Sequence, residues 1–259
     1  MPLVPEREPL PTRVQGTPPL PAAYVHALER GLVALTLDLD ETARATIDGH
    51  ARLLLAWTTA INLTAIRDPA AVATAHVVDS LSAVPWLRAR GPERILDLGS
   101  GGGFPGLPIA AALPGVDMTL LEPIGKKAGF LRAAVTATGL DGRVTVIADR
   151  AEALAADRGR RGTWSVVTAR AVASTADLIE LAFPLLVRGG ALVAWKRGDL
   201  GPELSAATRA VDALGGGTID VSQVAVDGLH EHCLVIATRE GAIPDGYPRD
   251  PAARRRRPW

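Results

Sequence analysis

From Arg94 onward, short apolar runs alternate with longer segments in which apolar residues return every third or fourth position. The runs at 94–98, 117–121, 143–148, 164–169, 190–195, 218–226 and 232–238 predict strands, and the periodic stretches at about 104–112, 125–138, 150–156, 175–187 and 202–214 predict helices. Such alternation builds a parallel sheet covered by helices on both faces. The last link, 226–232, is too short for a crossover helix, so the final two strands are expected to form an antiparallel hairpin. Upstream the pattern is helical from Ala22 to about Ala60, with Asp38 and Glu41 spaced as a capping box and Leu53, Trp57 and Ile61 on one face. Asp68 and Pro69 read as an N-cap and first-turn proline opening another helix to about Val84.

The expected organisation follows. Residues 1–21, with seven prolines, read as a disordered arm. Residues 22–90 form a helical extension, 91–240 a seven-stranded, mostly parallel Rossmann-like α/β domain, and 241–259 a basic tail whose stretch 247–259 carries five arginines against one aspartate. At 259 residues and 47% hydrophobic, the chain can bury a sizeable core. Formal net charge is zero, so any grip on a polyanion comes from local patches. A single cysteine, Cys233, rules out a disulfide framework and a cysteine zinc site, and its place inside a strand makes it a core residue. No metal site is expected. With no unbroken apolar run of about 18 residues and no apolar leader, the expectation is a cytoplasmic monomer without a membrane segment.

The chemistry concentrates in LDLGSGGGFPGLPIA, residues 96–110, where Gly99, Gly101, Gly102, Gly103 and Gly106 follow the first strand. Glycines allow a tight bend and close approach of a ligand to the backbone. Residues 101–106 also fit the dinucleotide pattern GxGxxG. However, Asp97 two residues before Gly99 is unexplained by that motif, and Pro105 crowds the place where a pyrophosphate needs free N–H groups. The turn fits S-adenosylmethionine better, in a class I methyltransferase sheet. Glu122 ends the second strand 23 residues after Gly99, placed to accept ribose hydroxyls of either cofactor. Ligands of open α/β sheets lie beyond the carboxyl ends of the strands. Asp97, Glu122, residues 149–152, Arg170 and Lys196–Arg197 all fall at such ends.

The acceptor is narrowed by missing devices. The Asn/Asp-Pro-Pro-aromatic turn that serves exocyclic amines is replaced after the fourth strand by TARAVAS, residues 168–174. Attack at C5 of a pyrimidine needs a cysteine nucleophile, and Cys233 lies inside a strand. Guanine N7, a free lone pair needing no general base, qualifies as acceptor. An NAD-dependent oxidoreductase would need a catalytic Ser/Tyr/Lys or His/Arg/Asp set, and both tyrosines, Tyr24 and Tyr247, lie outside the sheet. A purely RNA-binding module would not need the cofactor turn. A small-molecule methyltransferase on the same fold stays open as the alternative.

The blocks NLTAIRDP, HVVDSL, LDLGSGGGFPGLPIA, LLEPIGKKAGFLR, TARAVAS and the closing YPR occur in this order over roughly residues 40–250. Together they resemble the RsmG/GidB family of 16S ribosomal RNA guanine-N7 methyltransferases. The resemblance implies adenosylmethionine as cofactor, and 16S rRNA or the 30S subunit as partner. It implies guanine 527, in the 530 loop of the decoding region, as target. It further implies that Gly99, Phe104, Ala151, Glu152 and Arg170 line the cofactor site, beside Asp97, Gly101 and Glu122 from the residue reading. Two features depart from the family: the long arm before Pro21, and Gly129 inside a helix, where it weakens that helix.

On the helix opened by Asp68, His76, Asp79 and Ser80 share one face and Val77, Leu81 and Val84 another. Asn62, Thr64, Arg67 and His76 are candidates for shaping the guanine pocket or holding RNA. No residue is assigned a chemical step beyond positioning; Arg170, Asn62 and His76 are the best candidates even for that. Lys126 and Lys127 open a helix against its dipole, as a phosphate contact would explain. Lys196 and Arg197 sit where RNA would lie, and Arg254 and Arg255 belong to a flexible basic run adding salt-dependent affinity.

Overall fold

Seven short apolar runs become strands: β1 (Arg94–Leu98), β2 (Asp117–Leu121), β3 (Val144–Ile147), β4 (Trp164–Arg170), β5 (Leu186–Arg197), β6 (Gly217–Gln223) and β7 (His232–Arg239). The computed structural model describes residues 9–259. The strands form one sheet in the order β3-β2-β1-β4-β5-β7-β6, with β7 antiparallel to both neighbours and the other contacts parallel. The hairpin forms as expected, and its second strand inserts between β5 and β6. The order reverses direction between β1 and β4, the crevice where ligands of open sheets lie.

Strand alternation splits the core in two. Ile95, Val166 and Val193 face one way, Leu96, Val167 and Leu192 the other. On the first face lie α1 (Ala22–Ala34), α2 (Glu41–Trp57), α6 (Gly106–Ala112) and α7 (Gly125–Ala137). On the second lie α8 (Ala151–Ala156), α9 (Thr175–Ala182) and α10 (Gly201–Ala213). The helical extension therefore shares one continuous core with the sheet. Its remaining helices are α3 (Pro69–Val72), a π-helical segment Ala73–Val78, α4 (Asp79–Leu81) and α5 (Val84–Arg90). Pro69–Arg90 is long and apolar enough to match a membrane span by composition, yet Val72, Val77, Val78, Leu81 and Leu87 are buried within this core.

Several local expectations are corrected. The cap of α2 is Asp40, whose carboxylate accepts from the Ala43 N–H at 2.7 Å, not Asp38. Asp68 does cap its helix, accepting from Ala71 N–H. α9 stops at Ala182, and β5 starts at Leu186, earlier than expected, because an irregularity between Trp164 and Val166 adds pairing at the strand's start. Residues 1–8 of the expected disordered arm lie outside the described residues. Residues 9–21 are held against α2: the Trp57 Nε1–H donates to the Pro11 carbonyl at 2.7 Å, the Arg52 Nε–H to Pro18 at 3.0 Å, and Thr17 is buried. Prolines carry no N–H, so this segment has few backbone donors of its own and side-chain donors from the neighbouring helix take several of its carbonyls.

The tail is likewise ordered. Asp250 caps α11 (Pro251–Arg256), and the fully buried Glu180 of α9 accepts from the backbone and guanidinium of Arg249 and from the Trp259 indole. The expected flexible basic run is thus a helix, in which Arg254 pairs with Glu152 and Arg255 is exposed.

Gly129 sits in α7 with open space where a Cβ would stand. Gly129→Ala is expected to raise stability by about 0.5–1 kcal/mol, read as a higher Tm, because the gain in helix propensity meets no clash.

Candidate cofactor and acceptor cavity

A cavity of about 670 Å³ opens at the carboxyl ends of β1, β4 and β5. One wall is the glycine turn 99–102, another the ends of β4 and β5 with the start of β7, and the third the extension through Leu63, Ile66, His76 and Asp79. A Cβ at Gly101 would meet nothing nearer than the Gly99 carbonyl oxygen at 3.8 Å, so this turn offers bare backbone to the cavity. Gly103, at φ 88°, admits no side chain: a Cβ would lie 2.7 Å from Nε2 of His50.

The turn is braced from below and beside. Asp97 is fully buried; one carboxylate oxygen accepts from Gly106 N–H at 3.2 Å and the other from the Thr168 hydroxyl at 2.9 Å. Burial pushes its pKa up to about 6. Asp97 lies outside the cavity lining and serves the loop, not a ligand directly. Glu122 is buried too, its oxygens accepting from Gly101 N–H at 2.9 Å and Ile124 N–H at 2.8 Å. Each of those oxygens retains a second lone pair, the chemistry a ribose diol requires.

From the helical side, His50 of α2 donates its Nε2–H to the Gly102 carbonyl at 2.8 Å and packs tilted against Phe104 with centroids 4.5 Å apart. The carbonyl only accepts, so Nε2 carries the proton. Nδ1 is buried without a partner among the described residues. Burial lowers the His50 pKa to about 4. His76 stacks on Phe104 at 4.9 Å, and its Nε2 meets the Thr64 hydroxyl at 2.7 Å. Its pKa also falls to about 4, through burial and then the charge of Arg170. Both rings are neutral at pH 7.

Arg170 ends β4 with its guanidinium 5.3 Å from the centre of the Phe104 ring. Its Nη1 donates to an Asp79 carboxylate oxygen at 3.0 Å and to the Ala75 carbonyl at 3.1 Å, and Nη2 to Nδ1 of His76 at 3.3 Å. Asp79, almost completely buried, also meets His232 Nδ1 at 2.9 Å with its other oxygen, while its carbonyl accepts the Trp195 indole N–H at 2.6 Å. His76, within the π-helical segment, and Asp79, directly after it, both line the cavity. Ala171, next to Arg170, takes φ 56°, a left-handed backbone that costs a non-glycine residue about 1–2 kcal/mol.

The structure brings Gly99, Gly101, Phe104, His76, Arg170, Lys127, Lys196 and Arg197 to one cavity. It leaves Glu122, Ala151 and Glu152 at the neighbouring rim, with Glu152 paired to Arg254. Lys126 and Asn62 are exposed outside the lining. Besides Arg254 with its Glu152 partner, three further candidate RNA contacts have protein partners. Lys196 is paired with Glu203 and donates to the Ala173 carbonyl, Arg67 donates to the Thr58 carbonyl at 2.9 Å, and Thr64 is taken by His76. A cation at a strand end collects the nearest carboxylate and loop carbonyls when these lie within reach, which spacing alone does not reveal. Sequence reasoning missed His50, Trp195 and His232. An antiparallel β7 begins at the rim where β5 ends, as the Arg197–His232 pairing makes explicit, and that was the available signal for His232.

A family model described as rRNA small subunit methyltransferase G matches residues 44–230. The protein named ribosomal RNA small subunit methyltransferase G from Roseiflexus sp. strain RS-1 is 39% identical over 223 residues, 86% of this chain and 94% of that one. The protein of the same name from Chloroflexus aggregans is 39% identical over 235 residues, 89% of this chain and 98% of that one. Among solved structures, an O-methyltransferase from Bacillus cereus in complex with SAH superposes with a TM-score of 0.54 at 15% identity, covering 82% of this chain and 97% of that one. That likeness carries the fold alone.

Proposed function

The chain belongs to the rRNA small subunit methyltransferase G family, and from that premise we propose that it methylates N7 of a guanine in 16S rRNA, the position 527 guanine of the family resemblance. Adenosylmethionine supplies a methyl group activated by a positive sulfur. The residues present fit it: bare backbone at Gly101, Phe104 beside the turn, and the Glu122 carboxylate at the end of β2. The chain's own groups then bind, orient and exclude water.

The observation that carries the N7 reading is the state of the acids and bases around the cavity. Asp79 is committed to Arg170 and His232, Asp97 to Gly106 and Thr168, and His76 to Thr64 and Arg170. None of these three is left over to take a proton from an attacking amine, and the one ring nitrogen left open, Nε2 of His232, belongs to the side of the cavity over β5 and β7, away from the glycine turn. Guanine N7 brings no proton, so alignment suffices, and alignment alone is worth up to about 7–11 kcal/mol. Exposed Arg197 and half-buried Lys127 at the mouth suit a phosphate-bearing acceptor.

Two measurements test this. Adenosylmethionine should raise the Tm and NAD should not. Label from methyl-labelled adenosylmethionine should enter unmodified 16S rRNA or 30S subunits at a guanine N7 and should not enter tRNA. Cofactor binding with no label in any RNA would reject the reading in favour of a small-molecule acceptor.

A further inference from the structure

The cavity has two halves. Cofactor chemistry belongs to the half under the glycine turn, over β1. The other half lies over β4, β5 and the start of β7, and holds Trp195, Arg197 and His232. His232 plays no part in the reading above. Its side chain is one-quarter exposed and lines the cavity, and Nδ1 is its only ring atom with a partner among the described residues. Among the described residues Nε2 has no hydrogen-bond partner, and it is not sealed from solvent.

We infer that His232, oriented by Asp79, reads the Watson–Crick edge of the acceptor guanine. The inference rests on the guanine-N7 reading and deepens it. A carboxylate oxygen only accepts, so the Asp79 contact at 2.9 Å selects the tautomer of the uncharged imidazole that carries its single proton on Nδ1. Nε2, across the ring, is then a lone pair aimed away from Asp79 into the acceptor half. Guanine with N7 turned toward the glycine turn directs its far edge, N1–H and the 2-amino group, toward β5 and β7. Those are donors, and His232 supplies the acceptor. Adenine offers no donor at either position and is refused by the same atom. Asp79 is a positioning residue: its second oxygen holds Arg170, so one buried carboxylate fixes both the guanidinium over Phe104 and the imidazole opposite it.

The test uses the full chain and 16S rRNA carrying guanine, inosine or 2-aminopurine at the acceptor position. Inosine lacks the 2-amino group and 2-aminopurine lacks N1–H. For the wild type, kcat/KM should drop at least about tenfold with one of the two analogues, since an unmet polar group at a recognition site is costly. His232→Ala should lose about 10- to 100-fold on guanine and show no further loss with that analogue, the signature of one shared contact. Asp79→Asn keeps the ring and reverses its tautomer: the amide donates to Nδ1, the proton moves to Nε2, and the acceptor becomes a donor. Its guanine preference should collapse in the same way, which loss of packing alone would not do. Adenosylmethionine affinity of His232→Ala should stay at the wild-type value, confirming an intact fold. An equal loss for His232→Ala on all three bases, or no loss at all, overturns the role of His232. If the wild type itself methylates no guanine, the functional reading falls and takes the inference with it, an outcome distinct from the first.

Discussion

Arg170→Ala is expected to lower kcat/KM for methyl transfer by about 10³-fold and stability by about 3 kcal/mol, the loss following removal of one member of a buried ion pair. Arg170 is only 14% exposed and its partner Asp79 is 3% exposed. Without the guanidinium, Asp79 keeps only His232 beside its charge, and the Ala75 carbonyl and His76 Nδ1 lose their donors. The side chain also lies against the Phe104 face, so its loss frees the ring that closes the glycine turn. Arg170→Lys should recover little of either quantity. One ammonium cannot reproduce a planar fork that reaches a carboxylate, a carbonyl and an imidazole nitrogen at once. The two losses separate in experiment: stability is read from denaturant unfolding without cofactor, transfer from labelled adenosylmethionine under saturating cofactor. A transfer rate within tenfold of wild type, in a variant that unfolds as early as expected, would reduce Arg170 to a structural role.

What the chain revealed before any coordinates, and what it hid, divides along a physical line. Strands and helices of the sheet domain were legible because each carries a local period; β1 and β2 fall where the apolar runs lie. The glycine turn was legible because a run of glycines after a buried strand has few other uses. Asp97 was seen as a site residue yet acts as a brace, since its partners Gly106 and Thr168 come from a later helix and another strand. The same applies to Arg254, whose partner Glu152 lies 102 positions away. Spacing along the chain records what is local; it does not record which carboxylate a cation meets after folding. The Asp79 arrangement stays hidden for the same reason, since its partners Arg170 and His232 lie 91 and 153 positions away on β4 and β7.

Acid should loosen this protein above the range where most carboxylates titrate. His50 and His76 are held neutral by burial, with pKa values near 4 against about 6.5 in an unfolded chain. Between those values the unfolded state takes up a proton at each position and the folded state does not, so stability falls as pH drops from about 6.5 toward 4. Asp97 acts in the opposite sense. Its folded pKa is raised to about 6, so the folded state binds the proton first and gains stability as pH drops below 6. Two histidines oppose one aspartate, and the net slope is about 1.4 kcal/mol of stability lost per pH unit. His50→Gln removes one histidine while its amide can still donate to the Gly102 carbonyl, so the variant's stability should be nearly flat between pH 6 and 4.5. Denaturant unfolding at half-unit intervals measures both slopes. A wild type flat over that window, or an unchanged slope in the variant, would refute the account. The effect reaches function because His50 joins the helical extension to the glycine turn and packs against Phe104. A charge on that ring would sit in a fully buried position, with Nδ1 unmatched by any acceptor among the described residues. Adenosylmethionine affinity should therefore hold across that window, where the folded ring stays neutral, and weaken only as pH approaches about 4, more steeply in the wild type than in His50→Gln.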